Sequence, residues 1–497
     1  MKLRNFILSA IALLTAVTLN AQAKTDFSGY YKNLPLKLQP VTAPAIPDYT
    51  IKISDFGGVN DGVTKNTEAF AKAMAHLAQK GGGHLVVPEG IWYTGPIQFE
   101  SNVDLHLQRG ALVLFSEDLA DYPVLSSNWE GLSTHRAMSP LSARGKENIM
   151  ISGFGTFNGN GQCWRPVKKG KMTDNQWKSL LKKGAVNQKG DVWFPNERIR
   201  EVYEDKNLQA QAHRGDKEKI EYVHDFLRPV LLSFIQCKNV MLKDATFENS
   251  PAWNLHPFLC ENLIIDNVTV RNPWYAQNGD GIDVESCTNV LIVDSSFDVG
   301  DDAICIKSGK DKDGRELGVP CSNVLIDGCT VYHGHGGFVI GSEMSGGAKD
   351  IVVKNCLFIG TDVGLRFKST RGRGGVVENI YIDDVKMSDI AGDALIFDLY
   401  YGGKGNATAV PVTEETPSFK DIYMNNITCR SAQRAAFFNG LPEMPMKNVQ
   451  IKNSRFRADT GITLNHVDGL LLDNVTIDAL NGEPLTKQNG VTNLVIK

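Results

Sequence analysis

Residues that could perform acid–base chemistry recur beside short apolar segments in the second half of the chain. They lie in Asn278-Gly-Asp280, Gly300-Asp301-Asp302, Gly334-His335-Gly336, Leu365-Arg366-Phe367-Lys368 and the stretch from Ala394 to Tyr400. Carboxylates that lie close together cannot all ionise easily, so one of the three aspartates should have a raised pKa and could act as an acid. Alternation along a strand places Arg366 and Lys368 on one face, where the two cations would bind an anion. These residue types predict acid–base chemistry on an anionic substrate.

Each motif alone also has a structural interpretation. Asp-Asp pairs are common in turns, and His335 between two glycines could be a turn residue. A cluster of carboxylates could also bind Ca²⁺. Because the motifs occur together at matched positions of a repeat, we favour a functional patch, which consists of Asp280, Asp301, Asp302, His335, Arg366, Lys368 and Tyr400.

A sequence repeat from residue 147 onward supplies the elements that must position this patch. A polar residue, Asn, an aliphatic residue, any residue and a second aliphatic recur, and the Asn positions include 148, 239, 262, 289, 323 and 379. The segments between them alternate with period two and are broken by Gly, Asn and Asp, which predicts short strands. Strands that recur in this way without helices between them predict an all-β fold, a right-handed parallel β-helix.

The spacing within the repeat predicts which side chains become neighbours. Asp301 lies 12 residues after Asn289, and His335 lies 12 residues after Asn323. In stacked coils about 4.8 Å apart, equal offsets correspond to neighbouring places on one face. We also expect the repeated Asn side chains to bond from coil to coil. The cysteines that precede four of them by two residues, Cys237, Cys260, Cys287 and Cys321, should be buried, stacked thiols.

The N-terminal residues have the features of a secretory signal. Lys2 and Arg4 precede an apolar run that ends in small residues near Ala23, and the run is too short to span a membrane. We therefore expect cleavage of residues 1–23 and export of a soluble protein, periplasmic or extracellular. Residues 24–497 should form a single parallel β-helix domain, capped at its N-terminal end by a helix over residues 66–79.

Residues 161–228 lack the repeat and carry an excess of Lys and Arg together with three tryptophans, Trp164, Trp177 and Trp193. They are either a solvated, irregular insertion or a basic, aromatic rim for a negatively charged ligand that contains rings. An insertion over one end of the surface that carries the patch would leave room for only the terminal unit of a polymer. The net charge of −4 argues against nucleic acid as a partner.

The four ordered motifs resemble those of the polygalacturonase family, glycoside hydrolase family 28. The resemblance runs from Phe56 to about Asp389, and Gly279 and Phe367 depart from the usual Asn-Thr-Asp and Arg-Ile-Lys without changing the chemical residues. It implies an inverting hydrolase that cleaves α-linked galacturonic acid in pectic polysaccharide or oligogalacturonides, without metal or cofactor, and we expect a monomer.

The resemblance also implies roles for individual residues. Asp301 would be the general acid, Asp280 and Asp302 would activate water, and His335 would keep the proton and orientation of the acid. Arg366 and Lys368 would bind the galacturonate carboxylate. Tyr400 would contact substrate, with Tyr401 as a competing assignment. Inverting carboxylate pairs stand about 6.5–9.5 Å apart.

Other activities remain compatible with the sequence. Within the family these are hydrolysis of rhamnogalacturonan or of substituted galacturonan, and either an exo or an endo mode. Outside it are a Ca²⁺-dependent pectate lyase and a non-catalytic glycan-binding solenoid. The Asp-Asp pair with Gly-His-Gly favours hydrolysis over elimination, and a binding solenoid gives no reason for three carboxylates and a histidine.

Overall fold

The computed structural model describes residues 26–403 and 408–497, without the side chain of Arg214. The predicted signal peptide, residues 1–23, lies outside the described residues. Within those two ranges, no helix is long and apolar enough to cross a membrane.

The chain winds into a right-handed parallel β-helix, which confirms the prediction from the repeat. One face is a sheet of twelve parallel strands. In chain order, which is also their order across the sheet, they are β1 (Ile97–Gln98), β2 (Leu141–Arg144), β3 (Leu232–Ile235), β4 (Leu255–Phe258), β5 (Ile282–Glu285), β6 (Asp302–Lys307), β7 (Gly336–Ile340), β8 (Leu365–Lys368), β9 (Asp393–Asp398), β10 (Arg434–Asn439), β11 (Thr460–Asn465) and β12 (Leu485–Lys487). Ile304 of β6 pairs with Ile282 on one side and with Phe338 on the other, so neighbouring coils are in direct register.

The remaining faces of the coils form a sheet of 23 strands. These strands are Thr50–Lys52, Gly83–Val87, Gly90–Thr94, Val103–Leu107, Ala111–Phe115, Glu147–Ser152, Thr156–Asn158, Lys238–Lys243, Thr246–Glu248, Glu261–Asp266, Thr269–Arg271, Thr288–Val293, Ser296–Asp298, Cys321–Asp327, Thr330–His333, Ala348–Ile359, Val376–Ser388, Ser418–Asn425, Thr428–Cys429, Met446–Ala458, Val467–Ala479, Val491–Thr492 and Val495–Ile496. Their pairings are parallel too, so both sheets hold each coil to the next along the whole solenoid.

The repeated asparagines form corners between strands. Asn239, Asn262 and Asn323 have φ of 52°, 61° and 56°, the left-handed region that Asn tolerates better than most residues. Asn239 Nδ2 donates to Asn148 Oδ1 at 3.1 Å, and Asn262 Nδ2 donates to Asn239 Oδ1 at 2.9 Å. Asn323 Nδ2 donates to Asn289 Oδ1 at 2.8 Å. The predicted coil-to-coil ladder is confirmed.

Inward-facing side chains fill the solenoid in continuous rows. Phe367 stacks on Phe397 with ring centroids 4.4 Å apart, and Phe397 stacks on Phe438 at 4.8 Å. The four cysteines of the repeat are buried and free, as predicted: Cys237, Cys260, Cys287 and Cys321. Contacts within such rows replace water at every coil, which makes the core the main source of stability.

Helix α1 (Thr67–Gln79) covers the N-terminal end of this core. It buries Phe70, Met74 and Leu77, the face that the sequence predicts. Asn66 takes the N-cap position without a side-chain cap bond, because its amide oxygen accepts instead from the backbone N–H of Val59 at 2.7 Å.

Residues 161–228, expected to be irregular, contain regular elements instead. These are the helices α2 (Asp174–Leu180), α3 (Glu197–Glu204), α4 (Lys206–Arg214) and α5 (Lys217–Tyr222) and a small antiparallel sheet of Val167–Lys168, Val192–Phe194 and Ala185–Val186. Trp164, Trp177 and Trp193 are buried within apolar clusters that this segment helps to form. They therefore pack mainly inside the segment, which does not support the alternative of an exposed aromatic rim, although Trp164 also lines a cavity beside the hairpin.

An antiparallel hairpin, Val124–Trp129 with Leu132–Ala137, stands between this segment and the twelve-stranded sheet. Thr134 Oγ1 donates to the carbonyl of Ala212 in α4 at 3.2 Å. At the far end, the N–H of Lys310 donates to the carbonyl of Gly131 at the hairpin tip at 3.0 Å. Lys310 directly precedes α6 (Asp311–Leu317), so the hairpin joins the insertion to the loop after β6.

Candidate active site

Six of the seven predicted site residues come together on the outer surface of the twelve-stranded sheet. They are Asp280, Asp301, Asp302, His335, Arg366 and Lys368. The first four lie at or just before the starts of β5, β6 and β7, and the two cations lie within β8. Because these strands are consecutive in the sheet, residues distant in sequence become neighbours in space.

The three aspartates form a tight cluster of carboxylates. One oxygen from each of Asp280, Asp301 and Asp302 lies within 4.8 Å of the others. Asp280 and Asp302 are buried, whereas the side chain of Asp301 keeps 24% of its exposure. Within the described residues, Asp280 Oδ1 has no hydrogen-bond partner. That oxygen is therefore buried without a donor from the described part of the protein to neutralise it.

Asp302 is the anion between the two cations of β8. Lys368 Nζ donates to Asp302 Oδ2 at 2.6 Å, and Arg366 Nη1 donates to Asp302 Oδ1 at 3.2 Å. Burial alone would raise the pKa of Asp302, but the charges of Lys368 and Arg366 outweigh it and lower that pKa. Asp302 is therefore a fixed carboxylate, and Phe367 between the cations points into the core as alternation predicts.

His335 pairs with Asp301. His335 Nδ1 lies 3.1 Å from Asp301 Oδ1, and the hydrogen bond to this carboxylate raises the pKa of the imidazole. Burial alone would raise the pKa of Asp301, but the bond to His335 and the positive charges of His335 and Lys368 lower it. In the free site, these opposite shifts of the two pKa values favour His335 over Asp301 as the group that holds the proton of this pair.

The raised pKa expected among the aspartates belongs to Asp280. Burial is the largest cause, and the negative charges of Asp283 and Asp301 add to it. The sequence predicts a raised pKa on one of the three aspartates without specifying which, and the family resemblance implies that Asp301 is the acid. The structure differs because His335 and Lys368 supply positive charge to Asp301 while Asp280 has no cation in contact among the described residues.

The spacing of the carboxylates is also shorter than expected. Oxygens within 4.8 Å of one another lie closer than the roughly 6.5–9.5 Å typical of inverting pairs. The reason is that Asp301 and Asp302 are adjacent in sequence and Asp280 is only one coil away, a step of about 4.8 Å. Inversion therefore stays a prediction from the family resemblance.

The seventh residue, Tyr400, lies beside a different cation. Its ring contacts Arg371, whose Cζ is 5.4 Å from the ring centroid. Tyr401 instead faces the site, with Lys368 Nζ 5.0 Å and Arg366 Cζ 5.8 Å from its centroid. The chain turns after β9, so strand alternation no longer decides which tyrosine faces the cations. We therefore assign the substrate-facing position to Tyr401 in place of Tyr400.

A buried ionic group beneath the site was missed by the sequence analysis. Lys307 Nζ lies 2.9 Å from Glu343 Oε2 and 3.5 Å from Asp283 Oδ1. It also lies 4.7 Å from the ring centroid of Trp253. The sequence does contain a signal for this group, because the charged residues Asp283 and Lys307 occupy outward-facing positions in the strands β5 and β6.

The carboxylate cluster has the oxygen donors that a hard cation prefers. However, both oxygens of Asp302 already bind Lys368 and Arg366, and Asp301 is paired with His335. Three cationic groups thus already pair with two of the carboxylates, and these two would have to give up their partners to bind a metal. The arrangement suits proton transfer beside a bound anion better than Ca²⁺ binding.

Comparison with known proteins agrees with this geometry. The family model of "Glycosyl hydrolases family 28" matches residues 225–461, which include all six clustered residues. A "Probable polygalacturonase" of Vitis vinifera is 29% identical over 414 residues, 82% of this chain and 74% of the relative. An "Exo-poly-alpha-D-galacturonosidase" of Dickeya chrysanthemi is 29% identical over 398 residues, 79% of this chain and 64% of the relative.

A solved structure extends the comparison over almost the full length. The crystal structure of a hyperthermoactive exopolygalacturonase from Thermotoga maritima superposes with a TM-score of 0.69 and 30% identity. The match covers 92% of this chain and 94% of that one. With this likeness and the clustered motifs together, the chain belongs to glycoside hydrolase family 28 and is a glycoside hydrolase.

Proposed function

We propose that this hydrolase cleaves chains of α-linked galacturonic acid in pectic polysaccharide and releases sugars from a chain end. The supporting observation is a carboxylate cluster beside Arg366 and Lys368. Arg366 uses only Nη1 for its contacts with Asp302 and the carbonyl of His335. Among the described residues no acceptor is within hydrogen-bond distance of its other nitrogens, so these donors can receive a uronate carboxylate.

In this proposal Asp301 protonates the glycosidic oxygen as the bond to C1 breaks. A water molecule attacks C1 from the other side and transfers its proton to Asp280 in its ionised form, while Asp302, which stays a carboxylate, assists. Asp301 needs a proton for this step, although His335 and Lys368 lower its pKa in the free site. A substrate carboxylate on Lys368 would offset part of that positive charge, so binding would raise the pKa of Asp301 and draw the proton from His335.

Release from a chain end is supported by the hairpin Val124–Ala137. It reaches from β2 to the loop after β6, four strands along the sheet, which is roughly 19 Å at 4.8 Å per strand. Its tip is held by the bond from the N–H of Lys310 to Gly131, and Trp129 stacks on Trp253 at 4.8 Å. Asp283 and Glu285 on the outer face of β5 are fully buried. A polymer that extends along the sheet would therefore contact the hairpin just beyond the carboxylates.

The experiment is digestion of polygalacturonate and a rhamnogalacturonan in parallel, with products sized over time. We expect galacturonic acid or a short oligomer early from polygalacturonate, with slow loss of viscosity. Cleavage of rhamnogalacturonan alone would replace the substrate, and a rapid fall in viscosity with mixed oligomers would refute the exo mode. An unsaturated, chelator-sensitive product would indicate a lyase.

We also propose export by cleavage of residues 1–23, on the basis of their charged and apolar pattern, and function as a monomer. N-terminal sequencing of the protein from the periplasm or medium should begin near Lys24. Light scattering should give the mass of one chain. An uncleaved N-terminus, or a dimer mass, would contradict the respective proposal.

A further inference from the structure

Three arginines near the carboxylate cluster have no acidic partner, and of these Arg136 and Arg165 are buried while Arg228 is half-buried. Arg136, Arg165 and Arg228 all lie in or beside the hairpin and the insertion, and in the described ranges none forms an ion pair. Burial is the main cause that lowers the pKa of each guanidinium. A buried charge without a counter-ion is costly, so these positions need a reason.

Two of the three line a cavity of about 300 Å³ beside the site, whereas Arg165 does not. Arg136 stacks on Trp129, with its Cζ 4.0 Å from the ring centroid, and donates through Nη2 to the carbonyl of Arg228. Arg136 Nε has no hydrogen-bond partner among the described residues. The stacked guanidinium is thus held in place with a donor unused.

Arg228 binds neutral acceptors next to the first catalytic motif. Its Nη2 donates to Asn278 Oδ1 at 2.6 Å, and its Nη1 donates to the carbonyl of Gln277 at 2.5 Å. Asn278 also lines the cavity and lies two residues before Asp280. Glu130 at the hairpin tip also lines the cavity, and its Oε2 lies 3.8 Å from Lys310 Nζ. Two guanidinium groups and one carboxylate therefore line the cavity, so positive charge is in excess next to the segment that leads to Asp280.

The carboxylates lie between two pairs of cations. Arg228 contacts the segment before β5, and Arg366 and Lys368 lie on β8, on the other side of β6 and β7. A polyuronate carries one carboxylate on every sugar. Two sugars joined by the scissile bond would thus present one carboxylate to each cation pair.

We propose that Arg136 and Arg228 bind the carboxylate of the sugar on the opposite side of the scissile bond from the sugar held by Arg366 and Lys368. The proposal rests on the proposed function. A cavity of about 300 Å³ is at the small end of ligand pockets, which suits one terminal uronate. Arg136 and Arg228 would then determine that this terminal sugar is charged.

The test uses trigalacturonates in which a methyl ester masks the carboxylate of one sugar at a time. In the wild type, an ester on either sugar that flanks the cleaved bond should lower kcat/KM by roughly 10- to 100-fold. This is the effect expected from the loss of one charge-assisted hydrogen bond. In Arg136→Met and Arg228→Met, one of these two ester effects should disappear and the other should persist. Lys368→Met should show the opposite pattern.

Arg165→Met is the matched control, because Arg165 is buried like Arg136 but does not line the cavity. It should lower the melting temperature without changing the ester discrimination. If a Met variant fails to fold, two other measurements test the proposal. One is the ester discrimination of Arg136→Lys, and the other compares inhibition of the wild type by galacturonate with inhibition by galactose. We expect weaker discrimination in the Lys variant and inhibition by galacturonate only.

Two outcomes would overturn the inference. One is an equal loss on all trigalacturonates in the Arg136 and Arg228 variants, which would mean that they only support the hairpin. The other is equal inhibition by galacturonate and galactose. A wild type that cleaves no galacturonate at all would instead refute the proposed function.

Discussion

Replacing Lys368 by Met should reveal how much of the site depends on one buried ion pair. Lys368 Nζ lies 2.6 Å from Asp302 Oδ2, and both side chains are buried. Removing one partner of a buried pair costs about 3–5 kcal/mol of unfolding free energy, since the other charge stays buried. Arg366 still contacts Asp302 at 3.2 Å, so we expect a loss near the lower limit, about 3 kcal/mol.

The loss of unfolding free energy in Lys368→Met should depend on pH in a defined direction. In the wild type, the pKa of Asp302 is lowered, so its ionised form stabilises the fold above the unfolded pKa of about 3.9. That contribution is lost as pH falls through the folded pKa. Without Lys368, burial dominates and the pKa of Asp302 should rise, so the stability deficit should be large at pH 7 and should shrink toward pH 4.

The assay is urea unfolding at several pH values, together with kcat/KM on polygalacturonate. Lys354→Met is the control, because Lys354 pairs with Asp327 at 3.2 Å in a more exposed part of the coils. It should cost about 1 kcal/mol or less. A deficit for Lys368→Met below 1 kcal/mol, or one that does not change with pH, would refute the reasoning.

Three further predictions concern the chemistry. Asp301→Asn should lower kcat by at least roughly 10²–10⁴-fold with little change in melting temperature, and near-normal turnover would exclude Asp301 as the acid. Because the pKa of His335 is raised, activity should decline as pH rises through that pKa, and His335→Gln should move this alkaline limb to lower pH in a pH–rate profile. An unchanged limb would show that His335 does not hold the proton. Proton NMR of the sugar released first should show the β-anomer, and initial α-anomer would mean that the close carboxylates act by double displacement.

Much of the fold and most of the site could be predicted because the repeat is local. Asn at each corner and alternating apolar residues specify one coil, and stacking then places Asp301 beside His335 at equal offsets. The hairpin Val124–Ala137 has no such repeat, and its position depends on contacts with Ala212 and Lys310 that are distant in sequence. Nothing local indicates such contacts.

The sequence analysis assigned the substrate-facing position to Tyr400 instead of Tyr401 for a related reason. Alternation predicts side-chain direction only while the strand continues, and β9 ends at Asp398. The N–H of Tyr401 then donates to the carbonyl of Ser369 at 3.0 Å, which fixes the turn. The sequence shows two adjacent tyrosines, but only the turn decides which ring lies over Lys368.

Which of the three aspartates has the raised pKa could be assigned only from the interatomic distances in the structure. Three crowded aspartates predict a raised pKa somewhere in the cluster, and composition cannot assign it. In the structure, Asp302 has two cations and Asp301 has His335, so the raised pKa values belong to Asp280 and to the imidazole of His335. An anionic substrate that binds Lys368 reduces the positive charge near Asp301, and the cluster can then move a proton to the acid only when substrate is present. Such a site would keep its acid ionised until a uronate arrives, so the cations of β8 would control protonation of Asp301 as well as binding of the substrate.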